Sequence, residues 1–329
     1  MVGLAKRKRL TKKQKERRKI FIYGLLVAVI VFFSGYLAGQ EDIDFREIQA
    51  RLDERLSQFE LPTFKRERTV SEGTSQIHLF DVGQGSSTLL IGSDGTSVLI
   101  DTGRYDDKDK RIISYLDEHI GLGEEIDLLI FSHNDSDHIG HGDLVLKYFD
   151  VQEVWMNGMD HTSNVYADLL DALLASDAEY AEPKAGQTYE RGAFYIDVLQ
   201  PTADSPQKNS NDESIASYIE FDGLSLVTSG DASVARENEM VERNWSLGAD
   251  ILILGHHGAQ NSTGEKWLDA IRPQMAFYQA GVDNSYGHPH PDTLERLEHS
   301  NIPYYGTDEL GTISLYIDES GEVSVETER

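Results

Sequence analysis

Apolar positions follow three different patterns along the chain. Between residues 20 and 38 they are continuous, IFIYGLLVAVIVFFSGYLA, nineteen residues without a charge. That is close to the roughly 20 apolar residues a helix needs to cross a bilayer. Between 41 and 62 the pattern becomes helical. Phe45, Ile48, Leu52, Leu56 and Phe59 recur every three or four positions until Pro62 stops the run. From 71 onward, short apolar runs bounded by turn residues alternate with amphipathic stretches.

In that last region the pattern predicts strands over 76–82, 88–91 and 97–101, the latter two a hairpin across Ser93-Asp94-Gly95. Further strands are expected over 127–132, 154–157, 194–199, 250–254 and 275–279. Two more hairpins are expected: 216–221 with 224–228 on Asp222-Gly223, and one around Ser320-Gly321. Helices are expected over 110–119, 164–175, 232–245 and 266–271. Hairpins plus strand–helix alternation in both halves predict an α/β (α+β) domain of about 250 residues, its sheets covered by helices. The expected organisation is a basic tail over 1–19, an anchor over 20–38, a helical stalk over 41–62 and one domain over 71–329.

Charge divides the chain at the same place. The whole has 30 Lys+Arg against 57 Asp+Glu, a net −27, yet residues 1–40 hold ten Lys/Arg and only one acid, Glu16. Residues 41–329 therefore carry −36. Basic residues just before an apolar span stay cytoplasmic, so the expected protein is single-pass in the cell membrane, with its domain on the outside. A cleaved signal peptide fits less well, because its core is shorter, about 7–15 residues, and small residues precede its cleavage site; here Tyr36 and Leu37 stand there. The stalk offers a surface for self-association, or for packing on the domain. The chain has no cysteine, which excludes disulfides, thiolate metal sites and a cysteine nucleophile.

The densest chemistry is Ser132-His133-Asn134-Asp135-Ser136-Asp137-His138, directly after the apolar Leu128-Leu129-Ile130-Phe131. Two histidines and two aspartates within six residues exceed what a helix-capping turn needs. In an extended loop His133 and Asp135 project to one side. Asp137 and His138 then address a second point, as a two-metal site about 3.5–4 Å across requires. Asp101-Thr102-Gly103, Gly230-Asp231 and Gly255-His256-His257-Gly258 each end a predicted strand, where ligands gather in helix-covered sheets. Asp231 is of the right type to bridge two metals.

Six segments occur in order: Phe80-Asp81-Val82-Gly83-Gln84-Gly85, Leu99-Ile100-Asp101-Thr102-Gly103, the His133–His138 segment with Ile139-Gly140, Ser229-Gly230-Asp231, Gly255-His256-His257-Gly258, and Tyr286-Gly287-His288-Pro289-His290-Pro291. Together they resemble the metallo-β-lactamase superfamily, in particular the hydrolase domain of ComEC-type competence (DNA-uptake) proteins, over about 73–318. The resemblance implies an αββα sandwich with two divalent metal ions, Zn²⁺ or Mn²⁺, at one edge. It implies His133 and Asp135 on the first metal, Asp137 and His138 on the second, and Asp231 between them. One of His256 and His257 completes the second site; His257 is preferred as ligand, and His256 either supports the ligands from behind or donates a proton. Asp101 is expected to orient the metal loop. Asn211 and Ser214 fall where many members have a third histidine, and His288 and His290 are expected to line the pocket and meet substrate.

The chain departs from that pattern in places. Asp135 replaces a histidine of the wider superfamily, which makes the first site harder and lets Mn²⁺ compete with Zn²⁺. Ile253 stands where the branch often has Lys, and Gly258-Ala259 where it often has Gly-Ser. The expected activity is a metal-dependent phosphodiesterase or nuclease, with nucleic acid as substrate and DNA-uptake channel proteins as partners. The alternatives are a cell-wall phosphodiesterase acting on teichoic acid or phosphocholine esters, and a non-catalytic accessory protein. A net −36 repels polyanions, so a nucleic-acid substrate needs a local basic patch or salt screening.

Overall fold

The computed structural model describes residues 74–205, 208–243, 247–318 and 321–329. All belong to the second of two units, Arg66–Arg329. The basic tail, the apolar segment 20–38 and the stalk 41–62 lie outside the described residues. Among those that are described, no helix is long and apolar enough to cross a membrane. The expected single-pass membrane localisation is corrected on that finding and is not carried further.

The strands run in chain order β1 (Ser75–Leu79), β2 (Thr88–Ile91), β3 (Ser97–Ile100), β4 (Glu125–Ile126), β5 (Leu128–Ile130), β6 (Asp150–Val151), β7 (Glu153–Trp155) and β8 (Glu179–Ala181). They continue as β9 (Thr188–Arg191), β10 (Phe194–Gln200), β11 (Ala216–Phe221), β12 (Leu224–Thr228), β13 (Ile251–Ile253), β14 (Met275–Tyr278), β15 (Tyr304–Gly306), β16 (Ile313–Ile317) and β17 (Val323–Thr327). The helices are α1 (Arg111–His119), α2 (Gly142–Tyr148), α3 (Asn164–Ala175), α4 (Val234–Arg243), α5 (Glu265–Ile271), α6 (Pro291–His299) and α7 (Thr307–Leu310).

One sheet has the order β17-β16-β1-β2-β3-β5-β7-β8 and the other β15-β14-β13-β12-β11-β10-β9. Alternation along the strands explains the layering. Ile77, Leu79 and Leu90 of the first sheet pack in one core with Phe194, Ile219, Leu226 and Phe277 of the second. Their strand neighbours Leu89, Ile91 and Leu99 pack on the other face against Ile112 and Leu116 of α1, Val145 of α2 and Leu169 of α3. Leu252 and Ala276 likewise meet Met240 of α4, Trp267 of α5 and Leu297 of α6. Strands apolar on both faces need cover on both, and the result is the α/β sandwich expected from the sequence.

The hairpin β11–β12 falls on the predicted residues. Asp222 (φ 49°) and Gly223 (φ 79°) give it the two left-handed central positions of a twist-matched two-residue turn. The predicted first strand is too long: β1 ends at Leu79, where the amide of Val82 bonds back to the carbonyl of Phe80 (3.0 Å) and turns the chain. In each sheet the central strands β3-β5-β7 and β12-β13-β14 run parallel. Asp101, the 132–138 loop, Asp231 and the 255–258 turn all leave from the carboxyl ends of those strands.

Candidate metal centre

The loop after β5 is wound rather than extended. The amides of His138 and Ile139 both bond to the carbonyl of Asp135 (3.0 and 3.1 Å), which folds the loop back on itself. His138 therefore lies beside His133, with ring centroids 4.1 Å apart. Gly140 allows the close approach: a Cβ there would lie 2.2 Å from the amide nitrogen of Tyr105.

Asp101, left-handed at φ 60° at the end of β3, holds this loop. One carboxylate oxygen accepts from the amide of Ser132 (2.7 Å), and the other from its hydroxyl (2.8 Å) and lies 2.8 Å from His138 Nδ1. From the second sheet, Gly230 (φ 52°) lets the chain turn so that buried Asp231 faces the loop. Ser214 Oγ accepts the Asp231 amide (3.0 Å), while the next residue, Ile215, bonds to the Ser132 carbonyl (2.7 Å). Ser214 thus braces Asp231 through its backbone. Asn211 opens a short helical turn, Asn211–Glu213, its amide bonded to Asn209 Oδ1 (3.1 Å).

His256 and His257 are consecutive left-handed residues (φ 50° and 57°), a costly backbone that turns both rings inward. Around the Asp231 carboxylate stand His138 Nε2 at 3.3 Å, His256 Nε2 at 3.4 Å, and His133 and His257 Nε2 at 3.8 Å. Asp135 lies 3.7 Å from His133 Nε2, and Asp137 lies 3.4 Å from His257 Nε2. Candidate ligand atoms fall into two overlapping groups, His133/His138/Asp231 and Asp137/His138/His257.

The chemistry of this donor set fits metal ions. Nε2 of His133, His138 and His257 is buried and has no protein hydrogen-bond partner. The other nitrogen of each ring is engaged: His133 by Ser132 Oγ (3.1 Å), His138 by Asp101, and His257 by the carbonyl of Gln279 (2.9 Å). A buried nitrogen without a partner is costly, and a ring fixed at Nδ1 presents its Nε2 lone pair to a cation. Charge points the same way. Burial opposes protonation of His138, but Asp231 and Asp101 outweigh it and hold its pKa well above the imidazole range. The carboxylates demand positive charge at a place where a divalent cation would supply it.

The remaining expected residues divide. His288 is half-buried, its ring 5.5 Å from that of His256, and burial pushes its pKa down to about 4. His290 is drawn into the N-cap of α6, where its Nδ1 accepts from the Asp292 amide (3.2 Å). Sequence reasoning missed Ser132 and Gln279. Gln279 holds His257 by its carbonyl while its side-chain amide donates to Phe80 and Ser87 and accepts from Thr88. The signal was a polar residue directly after the buried strand β14.

Residues 80–278 match the model of the metallo-beta-lactamase superfamily, and the chain belongs to that superfamily of metal-dependent hydrolases. Among individual proteins, it is similar to ComE operon protein 3 of Bacillus subtilis (30% identity, covering 78% of this chain and 34% of that protein). It is also similar to Recombination protein 2 of Haemophilus influenzae (27% identity, 70% of this chain and 27% of that protein). The chain spans about a third of the length of these relatives or less. A mutant of CmlA β-hydroxylase shares the fold, with a TM-score of 0.50 at 15% identity over 82% of this chain and 58% of that one.

Proposed function

We propose that the chain is a two-metal phosphodiesterase acting on nucleic acid. The observation that carries the reading is the convergence of three partnerless, buried Nε2 atoms on Asp231. His133 and Asp135 would hold one metal, Asp137, His138 and His257 the other, and Asp231 both. Metals so held would supply a nucleophilic water at neutral pH and a clamp on the phosphoryl oxygens. The chain's residues do the rest. Asp101 and Gln279 fix His138 and His257 through Nδ1. Ser214 fixes Asp231 through its amide. His288 stands beside His256 and, with its pKa pushed down by burial, enters the pocket as a neutral hydrogen-bonding ring rather than a proton donor.

Two features favour a phosphodiester over other esters and amides. Asp135 makes the donor set harder than an all-imidazole one. Similarity to a protein named for recombination supports nucleic acid as the substrate. The test is metal analysis of the purified chain together with hydrolysis of methyl p-nitrophenyl phosphate, single-stranded DNA and poly(glycerol phosphate). Two divalent metals and cleavage of both the small diester and DNA are expected. Metal-loaded protein that cleaves none of the three would end the reading.

A further inference from the structure

A cleft of about 760 Å³ has walls that include Arg104, Lys108, Arg111, Tyr286 and Arg329. Its charge differs from that of the rest of the domain. Residues 74–329 hold 14 Lys/Arg against 47 Asp/Glu. The cleft is lined by four of those cations and four acids, Asp81, Asp106, Asp107 and Glu328. The domain as a whole is strongly acidic, whereas the charges lining this cleft balance. The acids also position the cations: Asp81 pairs with Arg111 (3.1 Å) and with Arg329, and Asp107 pairs with Arg111 (3.3 Å). Asp106 accepts from Arg104 Nε. A guanidinium has five N–H groups, so an arginine bound through Nε still has donors on its terminal nitrogens for a phosphate.

An aromatic path leads into the same cleft. The His257 ring lies 6.1 Å from that of His288, interplanar angle 23°, and His288 lies 5.8 Å from Tyr286 at 30°. Tyr286 ends the path 59% exposed, so its ring is open to a stacking partner. Arg104 leaves the chain beside the metal loop, since its neighbour Tyr105 bonds through its amide to the Ser136 carbonyl (3.0 Å).

We propose that this cleft binds single-stranded nucleic acid, with a base stacked on Tyr286 and the backbone phosphates held by Arg104, Lys108 and Arg111. The assignment rests on the phosphodiesterase reading and specifies its substrate. Bases offer a face to an aromatic ring only when unpaired, which selects single strands over duplex. A polyol phosphate polymer presents the same phosphates and no ring, so Tyr286 separates the two.

The experiment uses the full chain loaded with Mn²⁺ and reads stopped-flow anisotropy of labelled oligodeoxythymidylate and of an abasic oligomer of equal length. Stacking of one base on Tyr286 predicts that the wild type binds the abasic oligomer about 10-fold more weakly. Tyr286→Ala should erase that difference by weakening only the thymidylate, and Tyr286→Phe should retain it. Arg104→Gln should weaken both oligomers alike and lower the salt dependence of binding by about 0.7 in logarithmic slope. Equal binding of the two oligomers by the wild type, or tighter binding of poly(glycerol phosphate) than of thymidylate, would overturn the proposal. So would a Tyr286→Ala chain that still discriminates. Binding needs no turnover, so base-selective binding without hydrolysis of the small diester, DNA or poly(glycerol phosphate) would uphold the cleft while ending the phosphodiesterase reading.

Discussion

Asp101 Oδ2 lies 2.8 Å from His138 Nδ1 while Oδ1 of the same carboxylate accepts the Ser132 amide at 2.7 Å. One side chain at the end of β3 thus ties both ends of the metal loop and fixes which nitrogen of His138 is free. In Asp101→Asn, the amide nitrogen must face one of two donors, so one of these bonds is lost. Metal affinity should fall about 10–100-fold, the usual cost of losing a partner behind a metal-binding histidine. Competition titration with a chromogenic chelator measures it. Unchanged affinity would remove Asp101 from this role.

Asp231 is the point on which four histidines converge. Asp231→Ala should take metal content from about two per chain to near zero, because it removes the ligand common to both sites. The fold offers a second readout. Bound metal at 1,000 times its dissociation constant stabilises by about 4 kcal/mol, so a chelator should lower the melting temperature of the wild type and leave that of Asp231→Ala in place. Full occupancy in the variant would show that Asp231 does not bridge.

Much of this centre was legible because strand ends are legible. Apolar runs stop where Asp101, Ser132, Asp231 and Gly255 begin, and parallel strands bring such ends to one edge. The wound shape of the 133–138 loop was not. Bonds from two later amides to the Asp135 carbonyl decide it, and residue types in an Asx-rich loop allow both shapes. Gln279 escaped for a related reason: it holds His257 through its backbone carbonyl, which leaves no mark in a side-chain pattern. α2 and α6 were missed because α2 begins with Gly142 next to the metal loop and α6 with Pro291 inside a motif read for its histidines.

Gly230 puts Asp231 in place by a conformation and a gap. A Cβ at 230 would lie 2.7 Å from Ser214 Cβ and 3.1 Å from Ser132 Cβ, on a backbone at φ 52°. Gly230→Ala should cost about 2 kcal/mol or more, from left-handed strain and overpacking together. Ser214→Gly in the same chain removes the nearer contact and should restore part of it. Urea unfolding of the two single variants and the double variant gives the coupling. Purely additive losses would mean that the Ser214 contact is not what excludes a side chain at 230.

Glu237 of α4 is fully buried beneath the second sheet and is not part of the metal centre. It accepts from the amides of Thr263 (2.7 Å) and Gly264 (2.8 Å) and from Ser262 Oγ (3.1 Å), so it anchors the start of α5. Burial outweighs these three donors and pushes its pKa up to about 7 from 4.5. A carboxyl whose pKa is raised by folding stabilises fully below its unfolded value, and the contribution is lost as pH rises through the folded one. Wild-type stability should therefore carry a component that declines between pH 4.5 and about 7, on the order of 3 kcal/mol in all. Glu237→Gln cannot titrate, and its amide nitrogen faces a donor. It should be less stable than wild type at pH 5, with the difference shrinking toward pH 8. Urea unfolding of both chains in chelator across that range measures the difference at each pH. A difference that stays constant from pH 4.5 to 8 would show that Glu237 is already ionised throughout, held by its three donors against burial.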